Sequence, residues 1–169
     1  MKRLSIFTLL LSFLTVQGIS QDLDINVLSD HTYETADDYA EVQDEILQCI
    51  SWLKSNPVDH PDRKAVNALV LTWLTGTPSV SITLNGYVVE FTEKNPDLLI
   101  LFMGGWTEHV LEVGKGNASE LESNLKGVEV VIAYYENRKT NGLAKDAGMQ
   151  RLIKLRDRGE LTDYLKGQL

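Results

Sequence analysis

The stretch LLILFMGGWTEHVLEVG, residues 98–114, decides the fold class of this chain, and Lys115-Gly116 marks the break after it. Its first six residues are all apolar, which is typical of a buried helix or a buried strand. The helix start signal Asn95-Pro96-Asp97 precedes it. Apolar residues then continue at helical spacing through Trp106, Val110 and Leu111. We therefore predict that this stretch is a buried helix.

Apolar residues recur at intervals of three and four on both sides of this stretch, which predicts further helices. One is predicted over 35–55, where Thr35 and Asp38 resemble a capping box. The others are predicted over 61–76, 117–135, 145–158 and 160–167. We therefore predict a mostly α protein, a single-domain helical bundle or short helical array of about six to seven helices.

Residues 78–94 match two patterns. Apolar residues alternate on both sides of Asn85-Gly86, and this dipeptide is a strong signal for a tight β-hairpin, here over 80–91. The spacing of the apolar residues also fits one face of a helix, which would be formed by Val80, Leu84, Val88 and Phe91. A lone hairpin is only marginally stable unless another element covers it. We favour the helix, and an α+β fold with one hairpin at 80–91 is the alternative.

The N-terminal residues predict export. Lys2 and Arg3 are followed by an apolar run and then by small residues, which is the pattern of a cleaved signal peptide. A membrane-spanning helix needs about 20 apolar residues, and this run is shorter. We predict a signal peptide over 1–20, an extended leader over 21–33 and a single helical domain over 34–169, with no membrane span in the mature form.

The cysteine content helps to predict where the exported protein is located. Cys49 is the only cysteine, so the exported chain has no internal disulfide and its fold depends on core packing. Small secreted animal domains usually contain several disulfides, which favours a bacterial periplasmic or extracellular location here. Cys49 lies on the apolar face of the helix predicted over 35–55, so we expect a buried, unreactive thiol.

The charge is negative overall and unevenly distributed. The net charge is −8 at pH 7, and we predict no nucleic-acid partner, because nucleic acids are bound through excess Lys and Arg. Residues 21–62 contain eleven acidic residues and one base, whereas residues 138–169 contain eight bases and four acidic residues. Because complementary charges steer surfaces together, we expect the first and last helices to lie close, within one molecule or across a homodimer.

The second half of the central helix contains the most suggestive cluster of polar and aromatic residues. On a helix, His109 and Glu112 lie one turn apart, where they could pair. Gly104-Gly105 would let a ligand approach the backbone, with Trp106 as a flat platform. We take Trp106, Glu108, His109 and Glu112 as candidate ligand-binding residues. The competing interpretation is that the glycines serve helix packing, Trp106 belongs to the core, and His109 and Glu112 face solvent.

The sequence contains no zincin, P-loop, dinucleotide-binding or nucleophile-elbow motif, and its three histidines are widely separated. We therefore predict no catalytic residues, no metal site and no cofactor. The first hypothesis is an exported, non-enzymatic interaction or structural module that binds a protein or peptide in a helical groove. A second is a small-molecule or metal-dependent site around residues 106–112. A third is an acidic, inhibitor-like protein that binds a basic partner.

Overall fold

The computed structural model describes residues 28–137 and 139–169. The predicted signal peptide at 1–20 lies outside these residues, as does the first part of the predicted leader. The described residues form helices joined by loops and contain no β-strand, which confirms the predicted mostly α array. None of these described helices is long and apolar enough to cross a membrane. In chain order they are α1 (Ala36–Glu41), α2 (Gln43–Ser55), α3 (Arg63–Gly76), α4 (Tyr87–Thr92), α5 (Leu98–Val113), α6 (Glu120–Glu136), α7 (Ala147–Asp157) and α8 (Leu161–Lys166).

Helices α5 and α6 form the most extensive helix–helix contact in the described residues. A Cβ atom on Gly105 would lie 2.8 Å from the carbonyl oxygen of Lys126 and 3.1 Å from the Cα atom of Gly127. The neighbouring Gly104 faces Ile50 of α2, whose side chain would lie 2.8 Å from such an atom. The two glycines of α5 therefore permit close helix packing on both partners, as the competing interpretation of this segment expected.

The helix predicted over 35–55 is divided at Val42 into α1 and α2. The predicted capping box is present, because Thr35 accepts the N–H of Asp38 while the Asp38 carboxylate accepts the N–H groups of Thr35 and Glu34. These backbone hydrogen bonds, that of Thr35 foremost, lower the pKa of Asp38. No residue of α1 is fully buried, so this short acidic helix lies on the surface.

Residues 78–94 form neither the complete helix nor the hairpin predicted for them. Residues 80–85 form neither helix nor strand, and within 78–94 only α4 is helical. The hairpin prediction is wrong because Gly86 has a φ of −55°, whereas the turn that Asn-Gly favours needs positive φ. The carbonyl oxygens of Asn85 and Gly86 instead accept the first N–H groups of α4. Helical spacing then places three residues of α4 in the core: Tyr87, Val88 and Phe91.

Arg63 at the start of α3 is almost wholly buried. Its Nη1 atom donates to the carbonyl oxygens of Leu53, at 3.0 Å, and Asn56, at 2.8 Å, near the end of α2. Its Nε atom lies 3.2 Å from the carboxylate of Asp97, just before α5. The guanidinium carbon lies 5.4 Å from the ring centroid of Tyr134 on α6, in reach of a cation–π interaction. This one side chain therefore joins four helices.

Helix α7 packs on α4 and α6, and α8 packs on α6 and α7. The side chain of Asp146 accepts the N–H of Met149 at 2.8 Å and so caps α7. Gly148 brings α7 against α4, because a Cβ atom there would lie 2.5 Å from the carbonyl oxygen of Glu90. Met149 and Leu152 are buried, which leaves the charged face of α7 towards solvent.

Candidate functional site

The four predicted ligand-binding residues all lie on α5 but contact different surroundings. Trp106 is buried and packs against Phe102, with ring centroids 6.0 Å apart. Glu108 forms an ion pair with Lys54 of α2. The His109 Nε2 atom lies 4.0 Å from a carboxylate oxygen of Glu122 on α6, and Glu112 is exposed. The structure does not bring these four side chains together around one cavity.

A cavity of about 190 Å³ lies beside Trp106, and the other three predicted residues do not line it. Trp106 Nε1 and His109 Nε2 are buried atoms without a hydrogen-bond partner in the described part of the chain. Both atoms are closed off from solvent, so a molecule in the cavity would not reach them without a movement of the surrounding side chains.

The lone thiol and the acidic residues do not form a reactive centre in the described residues. Cys49 is buried in the core, and this burial raises its pKa to about 11. A thiol with this pKa is protonated at neutral pH and is a poor nucleophile. Residues 28–137 and 139–169 contain no group of three or more His, Cys, Asp or Glu side chains that could hold a metal ion.

A groove of about 660 Å³ lies along α7, and basic side chains dominate its lining. We call it the basic groove and define it by its five cations: Lys94, Lys145, Arg151, Lys154 and Arg158. The one carboxylate in its lining belongs to Asp146, which is buried and already engaged as the cap of α7. The groove is therefore a concave surface of positive charge on a chain whose net charge is negative.

The local sequence explains why these cations share one surface. Arg151, Lys154 and Arg158 follow one another at intervals of three and four, which places them on one side of α7. Lys145 lies just before the cap of α7, and Lys94 lies in the turn after α4. Because α7 packs against α4, Lys94 joins the other four from a distant part of the sequence.

Only one of the five cations has a partner for its charge among the described residues. The Nη1 atom of Arg151 lies 3.3 Å from a carboxylate oxygen of Glu90, and its guanidinium carbon lies 4.7 Å from the ring centroid of Tyr164. The ion pairs formed within residues 28–137 and 139–169 include none of the other four cations. The groove thus offers cations that the described residues do not pair.

The described residues contain no ion pair between the first and last helices, which were predicted to attract each other. The ion-paired bases of the last two helices, α7 and α8, bind Glu90, Glu136, Asp157 and Asp163. None of the ion pairs in the described parts of the chain joins residues 28–62 to residues 139–169.

No protein-family model, curated protein or solved structure matches this chain. Its function is therefore inferred from the shape and charge of the basic groove.

Proposed function

We propose that this protein is an exported, non-enzymatic binding module whose basic groove takes an acidic segment of a protein or peptide partner. The observation that carries the proposal is the set of four cations in the basic groove without an ion-pair partner in the described residues. Export is supported by the signal-peptide pattern at 1–20.

Charge complementarity supports an acidic partner. Cations that line a concave surface raise the local concentration of anionic groups and accelerate their binding. Arg151 and Arg158 can each offer two parallel N–H donors to one carboxylate, a geometry that makes strong, directional contacts. A carboxylate-rich segment would therefore find both attraction and fixed hydrogen-bond donors in the basic groove.

A peptide is favoured over a compact anion by the length of α7, the helix along which the groove lies. The eleven residues of α7 extend over about 16 Å at 1.5 Å per residue. An extended peptide covers about 3.3 Å per residue, so a segment of about five residues matches this length.

An apolar side chain in the lining of the groove adds a contact that carboxylates alone would not use. Leu155 lines the basic groove. Protein interfaces combine apolar contacts with a polar rim, and Leu155 supplies an apolar part here.

The test is the binding of fluorescein-labelled hexaglutamate, measured by fluorescence anisotropy at low and at physiological ionic strength. In the double variant Lys154→Glu/Arg158→Glu, two attractive contacts become repulsive, so the affinity should fall about tenfold or more. The control Lys64→Glu/Lys139→Glu changes the net charge equally at two exposed residues outside the groove, and it should bind like the wild type.

Two results would contradict the proposal. One is equal hexaglutamate binding by the groove variant and its control, which would place the binding elsewhere on the surface. The other is tighter binding of a DNA oligonucleotide than of the peptide, which would indicate recognition of phosphate.

A further inference from the structure

We infer that the acidic segment bound in the basic groove belongs to a second copy of this chain, and that it is the exposed surface formed by residues just before α1, by α1 and by the start of α2. This inference rests on the proposed function of the groove. We call this surface the acidic face and define it by five exposed residues: Asp30, Glu34, Asp37, Glu41 and Asp44.

The acidic face has no ion-pair partner among the described residues of its own molecule. Lys54 is the only base among residues 21–62, and its ammonium group is already paired with Glu108 of α5. The ion pairs of the described residues include no member of the acidic face. Its carboxylates are thus available to cations of another molecule.

The acidic face is also short enough to lie along the groove. Its central part is α1, a short surface helix without a fully buried residue. At 1.5 Å per residue, α1 is about 9 Å long and α7 about 16 Å. Asp37 and Glu41 are one turn apart on α1, a spacing similar to that of Lys154 and Arg158 on α7.

Charge on the rest of the molecule does not prevent this contact at physiological ionic strength. Both copies have a net charge of −8 and repel each other at long range. The Debye length of about 8 Å at 0.15 M salt screens that repulsion, whereas side chains in contact are screened much less. Association should therefore be detectable at physiological ionic strength and weaken at high salt.

The contact joins two different surfaces, so it is heterologous. After the first contact one copy keeps an unused acidic face and the other keeps an unused groove, and such contacts extend into chains or close into rings. A two-fold symmetric dimer would not extend in this way, because both of its copies use the same patch.

The experiment uses sedimentation velocity of the mature chain over a range of concentrations. The groove variant is Lys154→Gln/Arg158→Gln, and the face variant is Asp37→Asn/Glu41→Gln. We expect the wild type to form species larger than a dimer and each variant alone to associate about tenfold more weakly. An equimolar mixture of the two variants should restore dimers and nothing larger, because only one intact groove and one intact acidic face are present per pair.

Hexaglutamate binding separates this inference from the proposed function. The face variant should bind the peptide like the wild type, because its groove is unchanged. A wild type that binds the peptide and stays monomeric at every concentration would overturn the second copy as partner and leave the proposed function intact. Dimers that form equally well in either variant alone would also overturn the inference, because they would need another surface.

Discussion

Arginine is used in opposite ways at the α2–α3 junction and in the basic groove. Arg63 is buried, and its side chain binds two carbonyl oxygens and the carboxylate of Asp97. Arg158 is exposed and forms no ion pair within the described residues. The residue type alone therefore does not decide the role. The difference is the number of acceptors that the fold supplies to each guanidinium group.

The number of internal acceptors around a cation relates to whether the cation stabilises the fold or binds a ligand. Where the chain surrounds a cation with its own acceptors, the cation stabilises the fold, since removing it leaves those acceptors buried without a donor. Where the chain supplies few acceptors, the cation contributes little to stability and keeps its donors for a ligand. The two regions should then respond differently to the same substitution.

The largest effect is expected from Arg63→Ala. The change removes the donor to Leu53, one donor to Asn56 and the partner of Asp97, and it leaves a cavity. We expect the free energy of unfolding to fall by about 3 kcal/mol, measured by urea denaturation followed by circular dichroism. Asp97 is partly exposed and can be rehydrated, which keeps the loss at the lower end for a broken buried ion pair.

Arg63→Lys is the matched variant. It keeps the positive charge, but the ammonium group of lysine lacks the planar shape that allows the guanidinium group of Arg63 to bind all three acceptors. Its stability should lie between those of the wild type and Arg63→Ala. A loss below about 1 kcal/mol in Arg63→Ala would show that Arg63 behaves like a surface cation, and the contrast with the groove would disappear.

The helical periodicity of the sequence predicts the interior of the molecule well. The buried helix predicted from 98 to the break at Lys115-Gly116 and the helices predicted over 61–76 and 145–158 agree with α5, α3 and α7 to within a few residues. Residues 78–94 were ambiguous because alternating and helical spacing coincide there. The backbone at Gly86 distinguishes the two, because its negative φ starts a helix and not a hairpin turn. The pattern of apolar side chains does not encode this backbone conformation.

The basic groove could be predicted only in part. The excess of bases in 138–169 indicates a basic surface, and the spacing of Arg151, Lys154 and Arg158 places them on one side of a helix. Lys94 and Glu90 join that surface through the packing of α4 on α7, which no local pattern shows. Arg63 was missed for a related reason, because two of its acceptors are backbone carbonyl oxygens that every residue type provides.

A smaller effect is expected from Glu90→Gln, which removes the carboxylate that competes with a ligand for Arg151. Both members of this pair are more than half exposed, and exposed pairs contribute about 0–1 kcal/mol. Hexaglutamate affinity should therefore rise by at most about fivefold, measured by anisotropy. The control Glu136→Gln frees Arg156, which does not line the groove, and should leave the affinity unchanged. Weaker binding by Glu90→Gln would mean that Glu90 holds Arg151 in its binding orientation.

The smallest effect is expected from Arg156→Ala, which tests a cation between the two extremes. Arg156 is half-buried and binds Glu136 of α6 at 2.6 Å and Asp157 at 2.7 Å, and the carboxylate hydrogen bonds, that of Glu136 foremost, raise its pKa. We expect a stability loss of about 0.5 kcal/mol, seen as a decrease in Tm of about 1–2 °C in a thermal melt.

Peptide affinity should stay unchanged in Arg156→Ala, because this residue lies outside the basic groove. In Arg158→Ala the result should be the reverse, with weaker hexaglutamate binding and an unchanged Tm. The loss of stability on substitution by Ala should therefore decrease from Arg63 through Arg156 to Arg158. This order follows the number of acceptors that the fold supplies to each side chain. If Arg158→Ala instead lowered the Tm more than Arg156→Ala, the number of internal acceptors would not determine which cations stabilise this fold.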